Sequence, residues 1–162
     1  MFHTAMNKKL VYISISMTIC LLIGILASFA TESSVNDWYA GLNKPEFNPP
    51  NWLFGPVWGV LYILMGIAAG IVWSKGVYHL WVKTALYHFG FQLLLNALWS
   101  IVFFGFQSPF WALLVILTLL ILIILTIRWF KVVSNLAALL MIPYLLWVCF
   151  ATLLNYKIWE MN

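Results

Sequence analysis

The sequence predicts an all-α membrane protein, a five-transmembrane-helix bundle with a short helix in the first loop. Three observations lead there. Of the 162 residues, 65% are hydrophobic and only 7% are charged, too little charge to cover a soluble domain. Five continuous apolar runs are each long enough for about 30 Å of hydrocarbon, which takes roughly 20 residues. The charged residues cluster at the ends of those runs. A barrel would show short alternating segments, so helices are the spanning elements. The length suits one domain over residues 1–162.

The first span runs from about Leu10 to Phe29. Lys8 and Lys9 before it resemble the start of a signal peptide, but a cleavable apolar core is only about 7 to 15 residues, so this one reads as a retained helix. Ser16, Cys20, Gly24 and Ser28 recur every four residues and give it a face a neighbouring helix can approach closely. In the loop that follows, Ser34 and Asp37 read as a capping box opening a short helix through about Leu42, stopped by Pro45. Pro49-Pro50 forms an extended entry and Asn51 an N-cap. The second span covers about Trp52 to Trp73, with Pro56 near its first turn, where a missing N–H is tolerated. Its inward face is Trp58, Tyr62 and Gly66. The pairs Gly55/Gly59 and Gly66/Gly70 each give GxxxG, a motif that serves a dimer or, more commonly, internal packing.

The third span, about Leu80 to Phe104, carries His88, Gln92, Asn96 and Ser100 four apart, a polar stripe that in hydrocarbon must point inward. The fourth, about Pro109 to Trp129, is almost entirely Leu, Ile and Val, and reads as peripheral and lipid-facing. The fifth, about Leu136 to Ile158, turns Tyr144, Trp147, Ala151 and Asn155 inward.

With five spans, Lys8, Lys9, Lys75, Lys83, Arg128 and Lys131 share one side of the membrane and no acid accompanies them. Lys44, Lys157, Glu32, Asp37, Glu46 and Glu160 lie on the other. The positive-inside rule then puts the N-terminus in the cytoplasm and the C-terminus outside. The net charge of +4 reports this topology and gives no reason to invoke nucleic acid.

The stretch from Trp38 to Tyr62 holds three tryptophans, two tyrosines and four prolines. Proline stiffens the backbone and aromatic rings give flat contact area at little entropic cost, so this loop reads as a lid over a site for a flat, greasy molecule. Trp58 and Trp147 read as pocket residues, with Ala151 leaving room. Trp73, Trp81, Trp111, Trp129 and Trp159, near span ends, form an interfacial belt. His88 reads as part of a hydrogen-bonded network, without the motif of a haem ligand. Cys20 and Cys149 fall in apolar spans and imply neither a disulfide framework nor a metal site. There is no HExxH, no pair of intramembrane carboxylates and no nucleophile–base pair, and the spans hold no acid for a proton relay. No internal repeat supports an inverted-repeat transporter. The sequence argues for binding over turnover, with no cofactor required.

Three ordered motifs resemble the translocator protein/TspO family, also called tryptophan-rich sensory protein or peripheral-type benzodiazepine receptor. They are Trp38-Tyr39 through Leu42-Asn43-Lys44-Pro45, Pro49-Pro50, Trp52, Phe54, Pro56, Trp58, Leu61-Tyr62 and Met65-Gly66; then Asn96, Trp99 and Phe103-Phe104-Gly105; then Pro143-Tyr144-Leu145, Trp147, Phe150-Ala151-Thr152 and Leu154-Asn155. The resemblance covers about Asn36 to the C-terminus. It implies a five-helix bundle, commonly a homodimer in the lipid bilayer, with a pocket near the first loop for porphyrins such as protoporphyrin IX and for isoquinoline carboxamide or benzodiazepine-type ligands. Carried over, that pocket is Tyr39, Pro49, Phe54, Trp58 and Tyr62, then Gln92, Asn96, Trp99 and Ser100, then Trp147, Ala151 and Leu154. Lys44, the one cation on that side besides Lys157, would meet porphyrin propionates. Some bacterial members are reported to degrade protoporphyrin in light, which makes Trp58 and Trp147 the photochemical candidates of an alternative, enzymatic reading. Two departures stand out. Phe47 replaces a common loop tryptophan, and Tyr156 and Lys157 are adjacent where the family's cholesterol motif needs a spacer, which argues against sterol binding.

Overall fold

The computed structural model describes residues 2–162, with side chains from residue 8 onward except at position 33. Seven α-helices follow one another: α1 (Phe2–Val35), α2 (Trp38–Gly41), α3 (Asn51–Trp73), α4 (Leu80–Ser100), α5 (Pro109–Val133), α6 (Asn135–Leu140) and α7 (Ile142–Met161). Five helical stretches are long and apolar enough to cross a membrane: Lys8–Glu32, Asn51–Trp73, Leu80–Gly105, Pro109–Val133 and Asn135–Met161. The expected five-span, all-helical architecture is what the chain adopts, and α2 is the expected short helix of the first loop.

The helix ends differ from the sequence reading. α1 continues past Phe29 to Val35, and Ser34 belongs to it and caps nothing. Its hydroxyl donates instead to the Phe104 carbonyl at 2.7 Å, near the end of the third span, where carbonyls lack helical donors. Asp37 precedes α2 but makes no side-chain cap bond. Before α3 the N-cap position belongs to Pro50, extended at φ −61° and ψ 143°, and Asn51 is the first helical residue. The Pro50 carbonyl accepts from the Leu53 amide at 3.0 Å, which supplies the first turn without an asparagine side chain. The fifth span is two helices. Ser134 caps α6 by accepting from the Ala137 amide, and the chain breaks at Met141 before Pro143, in the first turn of α7 where no amide is needed.

The third span ends in a π-helical turn over Ile101–Gly105, closed by the Phe106 amide donating to Ile101 at 2.9 Å. Such wide turns recur at functional sites. Here Phe103 and Phe104, although consecutive, both reach the first loop: Trp38 lies 5.6 Å from Phe103 and Tyr39 5.6 Å from Phe104 between ring centroids.

The fourth span is not simply lipid-facing. Ala112, Leu113, Ile116, Leu119, Ile123, Thr126 and Phe130 of α5 are buried, and the helix packs on α4 and α7. Leu114, Leu117, Ile121 and Ile124 on its other side are exposed. An all-apolar helix suits protein and lipid equally, so its inward face leaves no mark in its composition.

The tightest packing is between α1 and α3. A Cβ on Gly66 would strike the backbone of Met17, and one on Gly70 the backbone of Ile13. This GxxxG pair therefore serves internal packing, and the small-residue face of α1 is its partner, with Ser16 and Cys20 buried and Gly24 against the Tyr62 ring. Gly66→Ala and Gly70→Ala should each lower stability by roughly 1–3 kcal/mol through forced helix separation. Gly90→Ala, where a Cβ meets nothing within 4 Å, should be neutral or stabilising. Thermal unfolding in detergent distinguishes the two classes.

Candidate functional site

Two side chains of the polar stripe, Gln92 and Asn96, and two phenols facing them meet in the middle of the bundle. Tyr62 of α3 donates to the Asn96 side-chain oxygen, and Asn96 Nδ2 donates to Tyr144 of α7 at 3.2 Å. Tyr144 in turn donates to Gln92 Oε1 at 2.9 Å, and Gln92 Nε2 approaches Met65 Sδ at 3.9 Å. Gln92 and Tyr144 are fully buried. Three helices are thus joined by two amides and two hydroxyls, in a place where an unpartnered polar group would be costly.

His88 leaves this stripe. Its Nδ1 lies 2.8 Å from the Thr84 carbonyl of its own helix and its ring 6.1 Å from Trp129. Steps of four residues rotate by about 40° each on a helix, so three steps carry His88 well away from Ser100. Ser100 remains inward, 2.9 Å from Thr31 of α1 and donating to the Ala27 carbonyl at 3.2 Å.

Above the network, toward the first loop, lies a cavity of about 510 Å³. Its walls come from α1, α3, the third span and α7, and α2 contributes Tyr39. Of the residues singled out from the sequence, Tyr39, Phe54, Trp58, Tyr62, Asn96, Trp99, Ser100, Trp147, Ala151 and Leu154 line it. Pro49 and Gln92 do not. Gln92 stands behind Tyr144 and holds its hydroxyl. Pro49 accepts at its carbonyl from Asn48 Nδ2 at 3.0 Å, while Asn48 Oδ1 accepts from the Tyr39 hydroxyl at 2.8 Å, so Pro49 shapes the loop around Tyr39. Burial pushes the Tyr39 phenol up to about 12.

The indoles are held differently. Trp58 has Tyr62 at 5.8 Å and both Trp99 and Tyr144 at 6.3 Å between ring centroids. Trp99 donates to Asn155 Oδ1 at 3.0 Å, and Asn155 Nδ2 donates to the Pro109 carbonyl at 2.8 Å, which fixes the Trp99 ring plane. Trp147 packs edge-on to Phe54 at 6.1 Å, and its indole nitrogen is buried without a hydrogen-bond partner among the described residues. The Trp147 ring lines the cavity, but its N–H is an unsatisfied buried donor turned away from open space.

Lys44 is not available to an anion as the sequence led one to expect. Its ammonium donates to the carbonyls of Tyr39, Ala40 and Leu42 at 2.6, 3.2 and 3.0 Å and lies 4.9 Å from the Tyr39 ring centroid. It closes the C-terminal end of α2, where carbonyls need donors. Lys157 pairs with Glu160 at 2.6 Å. The charged side chain that lines the cavity is an acid, Glu32. The loop is also fastened to the end of α7: the Asn43 amide donates to Asn162 Oδ1 at 2.9 Å and Asn162 Nδ2 returns a bond to the Asn43 carbonyl at 3.0 Å.

Sequence reasoning missed the whole α1 wall, which includes Leu21, Ile25, Thr31 and Val35, as well as Phe103 and Phe104. The four-residue spacing of α1 did mark the side that faces α3, and Gly24 and Ser28 of that spacing line the cavity. Nothing local marked the aliphatic residues between them. Among the described residues no group of three or more His, Cys, Asp or Glu could hold a metal ion.

Five spans around an aromatic cavity, closed by a proline-stiffened loop, define an integral multi-pass membrane protein with the build of a receptor. Comparison with known proteins agrees. Residues 16–160 match the TspO/MBR family. A tryptophan-rich protein TspO of Archaeoglobus fulgidus is 47% identical over 148 residues, 91% of this chain and 94% of that one. The human translocator protein is 42% identical over 133 residues, covering 77% and 75% of the two chains. A tryptophan-rich sensory protein of Cereibacter sphaeroides is 36% identical over 128 residues, 78% of each. The chain belongs to the TspO/MBR family, and membership supports a receptor role in the membrane.

The polar network can be tested apart from any ligand. Tyr144→Phe leaves Gln92 Oε1 and Asn96 Nδ2 without their partner and should cost about 1–3 kcal/mol. The reading is the thermal unfolding midpoint in detergent. A midpoint equal to the parent's would show that the network does not hold the three helices together.

Proposed function

We propose that the protein is a membrane receptor whose cavity takes a flat, largely apolar ring system: a porphyrin such as protoporphyrin IX, or an isoquinoline carboxamide or benzodiazepine-type molecule. The observation that carries this reading is the cavity itself, about 510 Å³ and walled by Trp58, Trp99, Trp147 and Phe54. Its volume falls within the roughly 300–1,000 Å³ of small-molecule sites. Each ring contact contributes about 0.5–1.5 kcal/mol beyond area burial. With Glu32 in the lining and Lys44 committed to backbone carbonyls, a porphyrin would enter ring first and leave its carboxylates in water at the loop. A neutral ligand suits the interior better than a dianion.

Titration of tryptophan fluorescence with an isoquinoline carboxamide and with protoporphyrin IX tests this. Both should quench. Trp147→Phe should weaken the carboxamide by a few-fold, the worth of reduced ring contact, about 0.5–1.5 kcal/mol. Trp58→Phe combined with Trp147→Phe should weaken both ligands, and unchanged affinities in that double variant would remove the pocket assignment.

A second reading has one observation in its favour. Trp58 sits within 6.3 Å of Tyr62, Trp99 and Tyr144, a contiguous aromatic cluster through which an oxidised indole could be re-reduced. Light-dependent oxidation of bound porphyrin by dissolved dioxygen as electron acceptor, with Trp58 and Trp147 relaying single electrons, would yield a new product over repeated turnovers in light and none in the dark. Bleaching that stops at one equivalent without product would eliminate it.

A further inference from the structure

The end of the bundle away from the first loop carries a second concavity, of about 410 Å³. It lies between the start of α1, the end of α3 and the turn that follows α3. Lys8 and Lys9 come from α1, Lys75 from the turn, and Tyr12, Trp73 and Tyr78 supply aromatic wall and rim. The Tyr12 and Trp73 rings are 5.0 Å apart between centroids and pin α1 to α3 at this level. The turn is built to bring Lys75 round. Gly76 adopts φ +99°, open to glycine at no steric cost, and a Cβ there would strike the Tyr78 ring folded over it.

Three lysines thus line one recess, and among the described residues no acid pairs with them. Among the described residues the one ion pair is Lys157–Glu160, on the loop side of the bundle. None of Lys8, Lys9 and Lys75 has a side-chain hydrogen bond there either, in contrast to Lys44. The segments at this end of the bundle carry Lys83, Arg128 and Lys131 as further cations and no acid. Lys83 and Lys131 are exposed outside the recess and represent an ordinary solvated basic face. The 23 residues of α3 rise by about 35 Å, so if its loop end lies at one surface of the bilayer, Trp73 and the lysines lie at the other. At headgroup level, tyrosine and tryptophan mark the interface, and basic pockets beside spanning helices suit phosphorylated headgroups. Lysine meets a phosphate as a compact point charge, without needing the planar fork of arginine.

We infer that this recess is a second binding site, one that takes a phosphate anion through Lys8, Lys9 and Lys75, presented either by an acidic phospholipid headgroup or by free phosphate. The aromatic wall gives the glycerol and upper acyl region of a lipid a surface that inorganic phosphate would not use. The site is independent of the cavity under the first loop, and its success or failure says nothing about that one.

The test uses the full chain in an uncharged detergent, with dioctanoyl phosphatidylglycerol as probe and calorimetry as readout. Dioctanoyl phosphatidylcholine and inorganic phosphate form the comparison arms. Phosphatidylglycerol should bind at one equivalent and phosphatidylcholine should not. The triple variant Lys8→Gln, Lys9→Gln, Lys75→Gln should lose affinity by about tenfold or more, whereas Lys83→Gln with Lys131→Gln should stay within about twofold of the parent. The single Lys75→Gln, at an exposed position, should give an intermediate loss with an unchanged unfolding midpoint, which separates lost binding from lost fold. Equal affinity for inorganic phosphate, with the same dependence on the three lysines, would assign the site to a soluble anion. Equal losses in the triple variant and the Lys83/Lys131 control would overturn the site, since the effect would then be the general field of the basic face. Absence of binding by both phosphatidylglycerol and phosphate would overturn it outright.

Discussion

In hydrocarbon a polar side chain has only the protein to bond with, and this bundle answers that constraint at Asn96. Its amide accepts from Tyr62 and donates to Tyr144, and Tyr144 passes the bond on to Gln92. The three helices involved could slide or rotate against one another if they were joined by aliphatic contact alone, because lipid tails compete on equal terms with leucine. Directional bonds remove that freedom. They also set the floor of the cavity and bring two phenol rings against Trp58, so the site inherits its geometry from the bundle's own need to satisfy polar groups.

The cavity exists because one helix pair is tight at one end and loose at the other. Gly66 and Gly70 let α3 touch the backbone of α1 at Met17 and Ile13. Gly55 and Gly59, one repeat of the same motif further toward the loop, have nothing within 4 Å of where a Cβ would stand, and they line the cavity. The same residue type does opposite things at the two ends. At one it permits contact, and at the other it withholds a side chain and leaves volume. Aromatic residues from α7 and the third span occupy the margins of that space, and α2 covers it.

The lid is held by backbone chemistry. Three carbonyls of α2 and its end converge on the Lys44 ammonium, and Asn43 exchanges bonds with Asn162 at the end of α7. A lysine used this way stabilises a four-residue helix too short to persist alone, and it leaves no free cation at the cavity's loop end. The interior left behind is aromatic and aliphatic, with a carboxylate in its lining.

The sequence by itself determined the five spans, the short loop helix and the family, because hydrocarbon thickness imposes a length that apolar runs display openly and because three aromatic motifs stand in order along the chain. It also determined most of the cavity's aromatic lining, for Trp58 and Trp147 share a helix face with polar or small residues that betray an inward direction, and Trp99 stands in one of the family motifs. Only the tertiary structure decided which side of α5 is buried, since leucine reads the same toward lipid as toward protein. It alone moved Pro49 and Gln92 behind the lining, turned His88 aside and gave Ser34 to the Phe104 carbonyl, because each outcome depends on where a second helix places its acceptor. The π-helical turn that brings both Phe103 and Phe104 to the loop, and the commitment of Lys44 to the carbonyls of α2, have the same cause: a polar group's partner is fixed by packing, and packing is not written in spacing along one helix.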